Sequence, residues 1–460
     1  MPFRFLHCAD VHLGKYGHQS PERYGDYFSA LAAVVRHACE ERVDAVLVAG
    51  DLFDEQEPSN ETLRRAMETL RPLRTAGIPA AAIEGNHDRR KRGEPSGPLD
   101  LLHSEGYLRL LRPDYDDAGI VLGEAEGGAL WKPAAGITVA GIGFVAHRIE
   151  EHLARAAAQL PDDDIVILLA HFMVAKTSDA LEYGCIAQED LSPLEQIVTC
   201  LALGHRHTRV GLDGETDGWI FNPGSLEYVN PLDYRLPAEL RGFYDITVSD
   251  ELREPEPGCL HAVRRNRHLY VRHVPTDKRP AHTLRVDVSG ASSPSDIVER
   301  LREAAASSLD EQARARRPIV VVRLVGALGL SRVLLPRDAM SELLKEDFGA
   351  LHVEILMQDV LSAGDHGTLI LDDAGLERVM DRARVIAAGL LRDRGIAHGR
   401  EEELAAELLN VKAQLQGLAQ NPGPAVLDDV RRRLLPFVEY PELSGREAEA
   451  LPGNAHGGEA

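Results

Sequence analysis

At 460 residues the chain is long enough for two or three domains, and 44% hydrophobic with 27% charged residues is the composition of a soluble protein with an ample core. A formal net charge of −22 argues against simple adhesion to a polyanion, although local basic patches or cations can overcome it. Five dispersed cysteines with no C-x-x-C pair fit free thiols in a reducing cytoplasm. No apolar run reaches the roughly 18 residues that span a bilayer, and Met1-Pro2-Phe3-Arg4 leads into a strand without a signal-type leader, so a cytoplasmic protein without membrane insertion is expected.

In chain order, residues 3–8 form an apolar strand that feeds Asp10. Residues 24–42 carry Tyr27, Leu31, Val34, Val35 and Ala38 at helical spacing. A buried-type strand over 45–49 leads to Gly50-Asp51, and a helix capped by Ser59 runs to about residue 74. The strand 78–83 ends at Gly85-Asn86. Such alternation predicts a layered α/β fold with strands covered on both faces.

From about 106 to 144 the pattern shifts to short strands and Gly-rich turns. Strands over 164–170 and 201–203 then end at His171 and at Gly204-His205. Closing strands occupy 242–274, and Thr276–Pro280 reads as a boundary. A small α+β unit follows, with strands over 283–288, 318–324, 333–335 and 351–357 and a helix capped by Ser293 with Pro294 at its first position. Residues 376–392, 401–418 and 425–435 read as helices, and 444–460 as a disordered tail.

Five short motifs each follow an apolar run: Asp10-Val11-His12, Gly50-Asp51-Leu52-Phe53-Asp54, Gly85-Asn86-His87-Asp88, His171, and Gly204-His205-Arg206-His207. Ligands at strand carboxyl ends share one edge of an α/β sheet. Any one motif alone is common; five in this order point to a dinuclear centre of Asp10, His12, Asp51, Asn86, His171, His205 and His207. Asp51 suits a bridge, because a carboxylate can hold two cations where an imidazole cannot. Mixed nitrogen and oxygen donors without thiolate favour manganese, iron, zinc or cobalt. Two such cations are a standard means of cleaving phosphate esters. His87, beside Asn86, is the candidate to serve the leaving oxygen, with the Asp54 carboxylate as its first expected partner and Asp88 as the alternative. Arg89, Arg90, Lys91 and Arg92 follow directly and would place cations at the site mouth, or simply form a solvated loop.

These motifs resemble the calcineurin-like metallophosphoesterases, and Asp10-Val11-His12-Leu13-Gly14 with Gly50-Asp51-Leu52-Phe53-Asp54 narrows the resemblance to the DNA-repair nuclease branch of SbcD and Mre-eleven. The segment Asn222–Glu227 is similar as well. The resemblance covers roughly residues 1–280 and implies a core of two β-sheets flanked by helices. It also implies an α+β DNA-capping domain over 281–360 and a helical region over 361–443 that docks on an SbcC/Rad-fifty-type coiled-coil ATPase. It assigns one metal to Asp10, His12, Asp51 and His207, the other to Asp51, Asn86, His171 and His205, and catalysis to His87. It implies a manganese-dependent homodimer with 3′-to-5′ exonuclease activity on duplex DNA and endonuclease activity on single strands. A phosphodiesterase or phosphatase of nucleotides or other small phosphoesters, and a mainly structural assembly subunit for the ATPase, are the competing readings.

Overall fold

The computed structural model describes residues 2–362, apart from 17–19, 92, 118, 146–147, 176–183, 213–217, 231–232, 236–239 and 329–333, together with residue 404. Arg92, the helices expected over 361–443 and the tail 444–460 lie outside the described residues, residue 404 excepted. Met1–Gly326 and Val333–Val360 form one compact unit.

Among the described residues the architecture is a mixed α/β fold built on two large sheets. The first runs Cys259–Arg264, Arg267–Pro275, Gly242–Ser249, Phe3–Cys8, Ala45–Val48, Ala80–Ala82, Arg109–Leu110. Its last four strands are mutually parallel, and Gly242–Ser249 pairs antiparallel with Phe3–Cys8. The second sheet runs Ile220–Phe221, Cys200–Leu203, Ile165–His171, Ile137–Phe144, Leu130–Ala134, parallel except at its Leu130–Ala134 edge.

Alternating side chains explain the layering, because successive residues of a strand face opposite sides. Phe5, Leu47 and Ala81 of the first sheet meet Val139, Ile167, Leu169, Ala202 and Phe221 of the second in one buried cluster. Leu6, Val46 and Val48 face the other way, against Leu31, Val34, Val35, Leu70 and Leu73 of helices Pro21–Glu41 and Asn60–Ala76. Val166, Leu168 and Ala170 pack on Leu153 and Ala156 of helix Ile149–Ala157. Ser20, Ser59 and Ser293 each cap a helix by accepting from a backbone N–H three residues on.

Beyond Thr276–Pro280, strands Ala281–Asp287, Ile319–Leu328 and His352–Ser362 make a three-stranded sheet with helices Pro294–Ser308 and Arg337–Glu346. One expectation fails here. Of the strand read over 333–335, residues 334 and 335 are not in a strand, and helix Arg337–Glu346 follows. Its buried Met340, Leu343 and Leu344, spaced for one helix face, were the signal the sequence offered.

Candidate metal centre

The five motifs converge at one edge of the two-sheet stack. Parallel strands of the first sheet deliver Asp10, His12, Asp51, Asn86 and His87, and those of the second deliver His171, His205 and His207. Asp10, His12 and His207 present ligand atoms within 4.8 Å of one another, as do Asp10, Asp51 and His171. A third such group, His12, Asp54 and His87, adjoins them. Asp51 lies between the halves, with Oδ2 3.2 Å from His171 Nε2 and 3.8 Å from His12 Nε2. The Asn86 amide oxygen lies 3.1 Å from His171 Nε2 and 2.9 Å from His205 Nδ1.

The backbone is strained to achieve this. Asp10, His12 and Asp51 all have φ of 51° and His205 has 76°, a left-handed region that costs non-glycine residues about 1–3 kcal/mol each. Main-chain bonds hold the first three in place, with Asp10 donating to Gly50 O and Val11 and His12 both donating to Asp51 O. Three glycines of the motifs are required by close approach, Gly204 among them with a Cβ that would lie 2.1 Å from Ala49 O. A Cβ on Gly50 would lie 2.2 Å from His171 Nδ1, and one on Gly85 would lie 2.0 Å from Asp51 Oδ1.

The electrostatics favour positive charge within the cluster. Burial opposes ionisation of Asp51, yet the His171 and His12 imidazoles hold its carboxyl well below the usual carboxylate range. Burial likewise opposes an imidazolium at His171, but Asp51 and Asp10 raise it to about 9. Burial pushes His12 down, against the pull of Asp54.

The donor set fits cations on independent grounds. Asp10 Oδ2 and His12 Nε2 are buried without a hydrogen-bond partner, an arrangement costly unless something positive or proton-bearing meets them. His171 Nδ1 donates to Ala49 O at 2.7 Å, which turns its Nε2 toward the oxygens of Asp51 and Asn86. An imidazole tied through one nitrogen and offering the other is the usual form of a metal-binding histidine.

His87 does not pair with either expected carboxylate. Its Nδ1 donates to the main-chain carbonyl of Asp54 at 2.9 Å. The Asp54 carboxylate instead accepts from His12 Nδ1 at 3.0 Å and from Lys15 Nζ at 3.2 Å. A parallel bridge between Leu13 and Phe53 causes this, because it lays Asp54 beside His12. Asp88 is a loop stitch: its buried carboxylate accepts from the backbone N–H groups of Leu52, Phe53 and Gly85. Burial and the charge of Asp51 raise it to about 7.

The cationic run is exposed at Arg89, Arg90 and Lys91. Arg89 lies over the Phe144 ring at 5.9 Å, and that ring is 5.3 Å from His205. Lys91 pairs with Glu57, which offsets its charge. A further basic run, Arg264-Arg265-Asn266-Arg267, is structural, since Arg265 donates to Asp163 O and Ile197 O, and Arg264 to Glu195 O.

Three residues around His207 escaped sequence reasoning. His207 Nδ1 lies 3.1 Å from Asn230 Nδ2 and 3.6 Å from Asp233 Oδ2. Arg241 Nη1 donates to His207 O at 2.7 Å, and Arg241 Nη2 pairs with Asp233 Oδ1 at 3.0 Å. The nearest signal was the Asn222–Glu227 segment that precedes them.

Residues 3–209 match the family model for the calcineurin-like phosphoesterases. The DNA double-strand break repair protein Mre11 of Sulfurisphaera tokodaii is 30% identical over 207 residues, 45% of this chain and 49% of that protein. Residues 3–209 thus have the makings of a calcineurin-like phosphoesterase domain similar to that of Mre11 proteins. Mre11 of Aeropyrum pernix aligns over 65% of this chain and 66% of its own length at 28% identity. The chain thus spans about half the length of the first of these relatives. Among solved structures, a dimetal phosphatase from Danio rerio matches at 18% identity with a TM-score of 0.35, over 54% of this chain and 94% of that one. So low a score adds nothing to the alignments.

Proposed function

We propose that this chain is a metal-dependent DNA-repair nuclease subunit that hydrolyses phosphodiesters with two divalent cations, manganese by preference. The observation that carries the reading is the pair of buried, unpartnered atoms Asp10 Oδ2 and His12 Nε2 inside a cluster drawn from both sheets. The names of the relatives, DNA double-strand break repair proteins, support DNA as the substrate. The finer activities proposed are 3′-to-5′ exonuclease on duplex ends and endonuclease on single strands. We place the nuclease unit at 1–280, the capping unit at 281–360, a helical region binding an SbcC/Rad-fifty-type ATPase at 361–443 and a tail at 444–460. The working form is a cytoplasmic homodimer.

In this reading Asp10, His12, Asp51 and His207 hold one cation, and Asp51, Asn86, His171 and His205 the other. When bound, the cations supply charge to the phosphate oxygens and lower the pKa of the attacking water. The protein's own part is orientation and proton delivery. Asp54 fixes His12 with Nε2 toward the cluster, and Ala49 O does the same for His171. The water oxygen bonds to phosphorus, the bond to the leaving sugar oxygen breaks, and that oxygen takes up a proton. With His87 Nδ1 committed to the Asp54 carbonyl, Nε2 is the atom that hands the proton over. Arg89, Arg90, Lys91 and Arg92 would meet the flanking phosphates.

The test is end-labelled duplex and hairpin DNA incubated with the purified chain, with and without its ATPase, in Mn²⁺ and in EDTA. Mn²⁺-dependent degradation is expected. Turnover of small phosphodiesters with DNA left intact, even beside the ATPase, would establish a small-molecule esterase. Absence of any turnover with assembly on the ATPase would establish a structural subunit.

A further inference from the structure

The short 3₁₀ turn Asp233–Arg235 faces two ways. Asp233 is directed at the metal cluster: its carboxylate lies 3.6 Å from His207 Nδ1 and accepts from the backbone N–H groups of Val229 and Asn230. The next residue, Tyr234, is buried in the opposite sense. It packs with Tyr228 against Ile319 and Val321, which lie on the central strand of the three-stranded sheet beyond residue 280. The two tyrosine rings are 4.9 Å apart.

The turn is also clamped from below. Arg241, only 1% exposed, reaches the carbonyl of His207 and the carboxylate of Asp233 with the same guanidinium. Lys278, at the boundary between the two sheet systems, donates to the Arg241 carbonyl at 3.1 Å. His207, Asp233, Arg241 and Tyr234 therefore form one connected set between a ligand of the cluster and the three-stranded sheet.

We infer that Asp233 is a positioning residue for His207, and that the capping sheet sets its position through Tyr234. His207 Nδ1 faces Asn230 Nδ2 at 3.1 Å and Asp233 Oδ2 at 3.6 Å. A cation held at Nε2 would keep a proton on Nδ1 and so favour the carboxylate over the amide donor, and carboxylate partners of metal-binding histidines are typically worth about 10–100-fold in metal affinity. Close packing transmits the position of Ile319 and Val321 to the turn, since a buried aromatic pair cannot shift without opening a void. By linkage, occupation of the His207 site favours the seated turn to the same degree that the seated turn favours occupation.

The experiment titrates Mn²⁺ into the full chain by calorimetry and electron paramagnetic resonance, with urea unfolding in EDTA run on every variant. Wild type, Asp233→Asn, Val321→Ala and Leu344→Ala are compared. Leu344 lies in helix Arg337–Glu346, buried but outside the Tyr228–Tyr234 cluster. Asp233→Asn is expected to weaken one of the two Mn²⁺ sites by about 10–100-fold and leave the other unchanged. Val321→Ala should weaken the same site by a smaller factor, whereas Leu344→Ala loses stability without altering either site. If Asp233→Asn unfolds in EDTA, Asn230→Ala probes the same ring. Unaltered two-site binding in Asp233→Asn, or identical behaviour of Val321→Ala and Leu344→Ala, overturns the inference. It rests on the metal reading proposed above: wild type that takes up no Mn²⁺ sinks that reading first, whereas normal two-site binding in wild type and Asp233→Asn alike sinks this one alone.

Discussion

The two halves of the metal cluster are held by different means. Around His171 the support is main chain: Ala49 O fixes the ring, and Gly50, Gly85 and Gly204 leave no room for a side chain between the loops. Around His12 and His207 the support is side chain, through Asp54 and through Asp233 with Asn230. The first kind of support fails only with the fold. The second can be loosened one residue at a time, so the same cluster contains a rigid wall and an adjustable one.

The sharpest way to break that contrast is Gly85→Ala. Its Cβ would sit 2.0 Å from Asp51 Oδ1 and 2.4 Å from Asp51 N. A loss of about 3 kcal/mol or more in urea unfolding is expected, together with failure to bind either cation. Retention of both properties would show that the main-chain half is not rigid.

His87→Ala comes next. Cleavage should fall by about 10²–10⁴-fold, while metal analysis of the dialysed protein still finds both cations. Loss of a cation would make His87 a ligand instead. Asp54→Asn tests the adjustable wall. Affinity at the His12 site should drop by about 10–100-fold with the His171 side unmoved, and equal losses at both sites would erase the distinction.

The smallest effect is expected far from the cluster, as a control. Burial works against the charge of Asp245, but Arg4, His37 and Arg272 hold its carboxyl well below the ordinary range. A depressed folded value means stabilisation that is complete above about pH 4 and is lost as the pH falls below it. Asp245→Asn should therefore cost about 1 kcal/mol at pH 7, with part of that contribution discounted because Arg4 and Arg272 are partly exposed. The gap from wild type should close under acid denaturation, and cation binding at pH 7 should be unchanged.

The sequence made the alternating strands, the capped helices and the order of the seven candidate ligands legible, because each ligand sits within a few residues of an apolar run. What it hid were relations set by register. The Leu13–Phe53 bridge, which gives Asp54 to His12 and only its carbonyl to His87, is invisible in the spacing of Gly50–Asp54. Asp233 was hidden for another reason. It is one acidic residue among many, in a Pro-Leu-Asp-Tyr stretch without periodicity, and only the fold brings it to His207. Helix Arg337–Glu346 was missed because its apolar residues are few and its neighbours are strands.

The strands that end at Asp10 and at His205 belong to different sheets, far apart along the chain. The groups Asp10–His12–His207 and Asp10–Asp51–His171 each draw on both sheets, and parallel pairings close long loops, which makes them slow to form. Metal uptake is thus a report on completed folding. A nascent or partly unfolded chain presents scattered histidines and no assembled centre. In a cell, cation binding would then arise only in molecules whose two sheets have already docked, so any chemistry the centre performs is withheld from an unfinished copy.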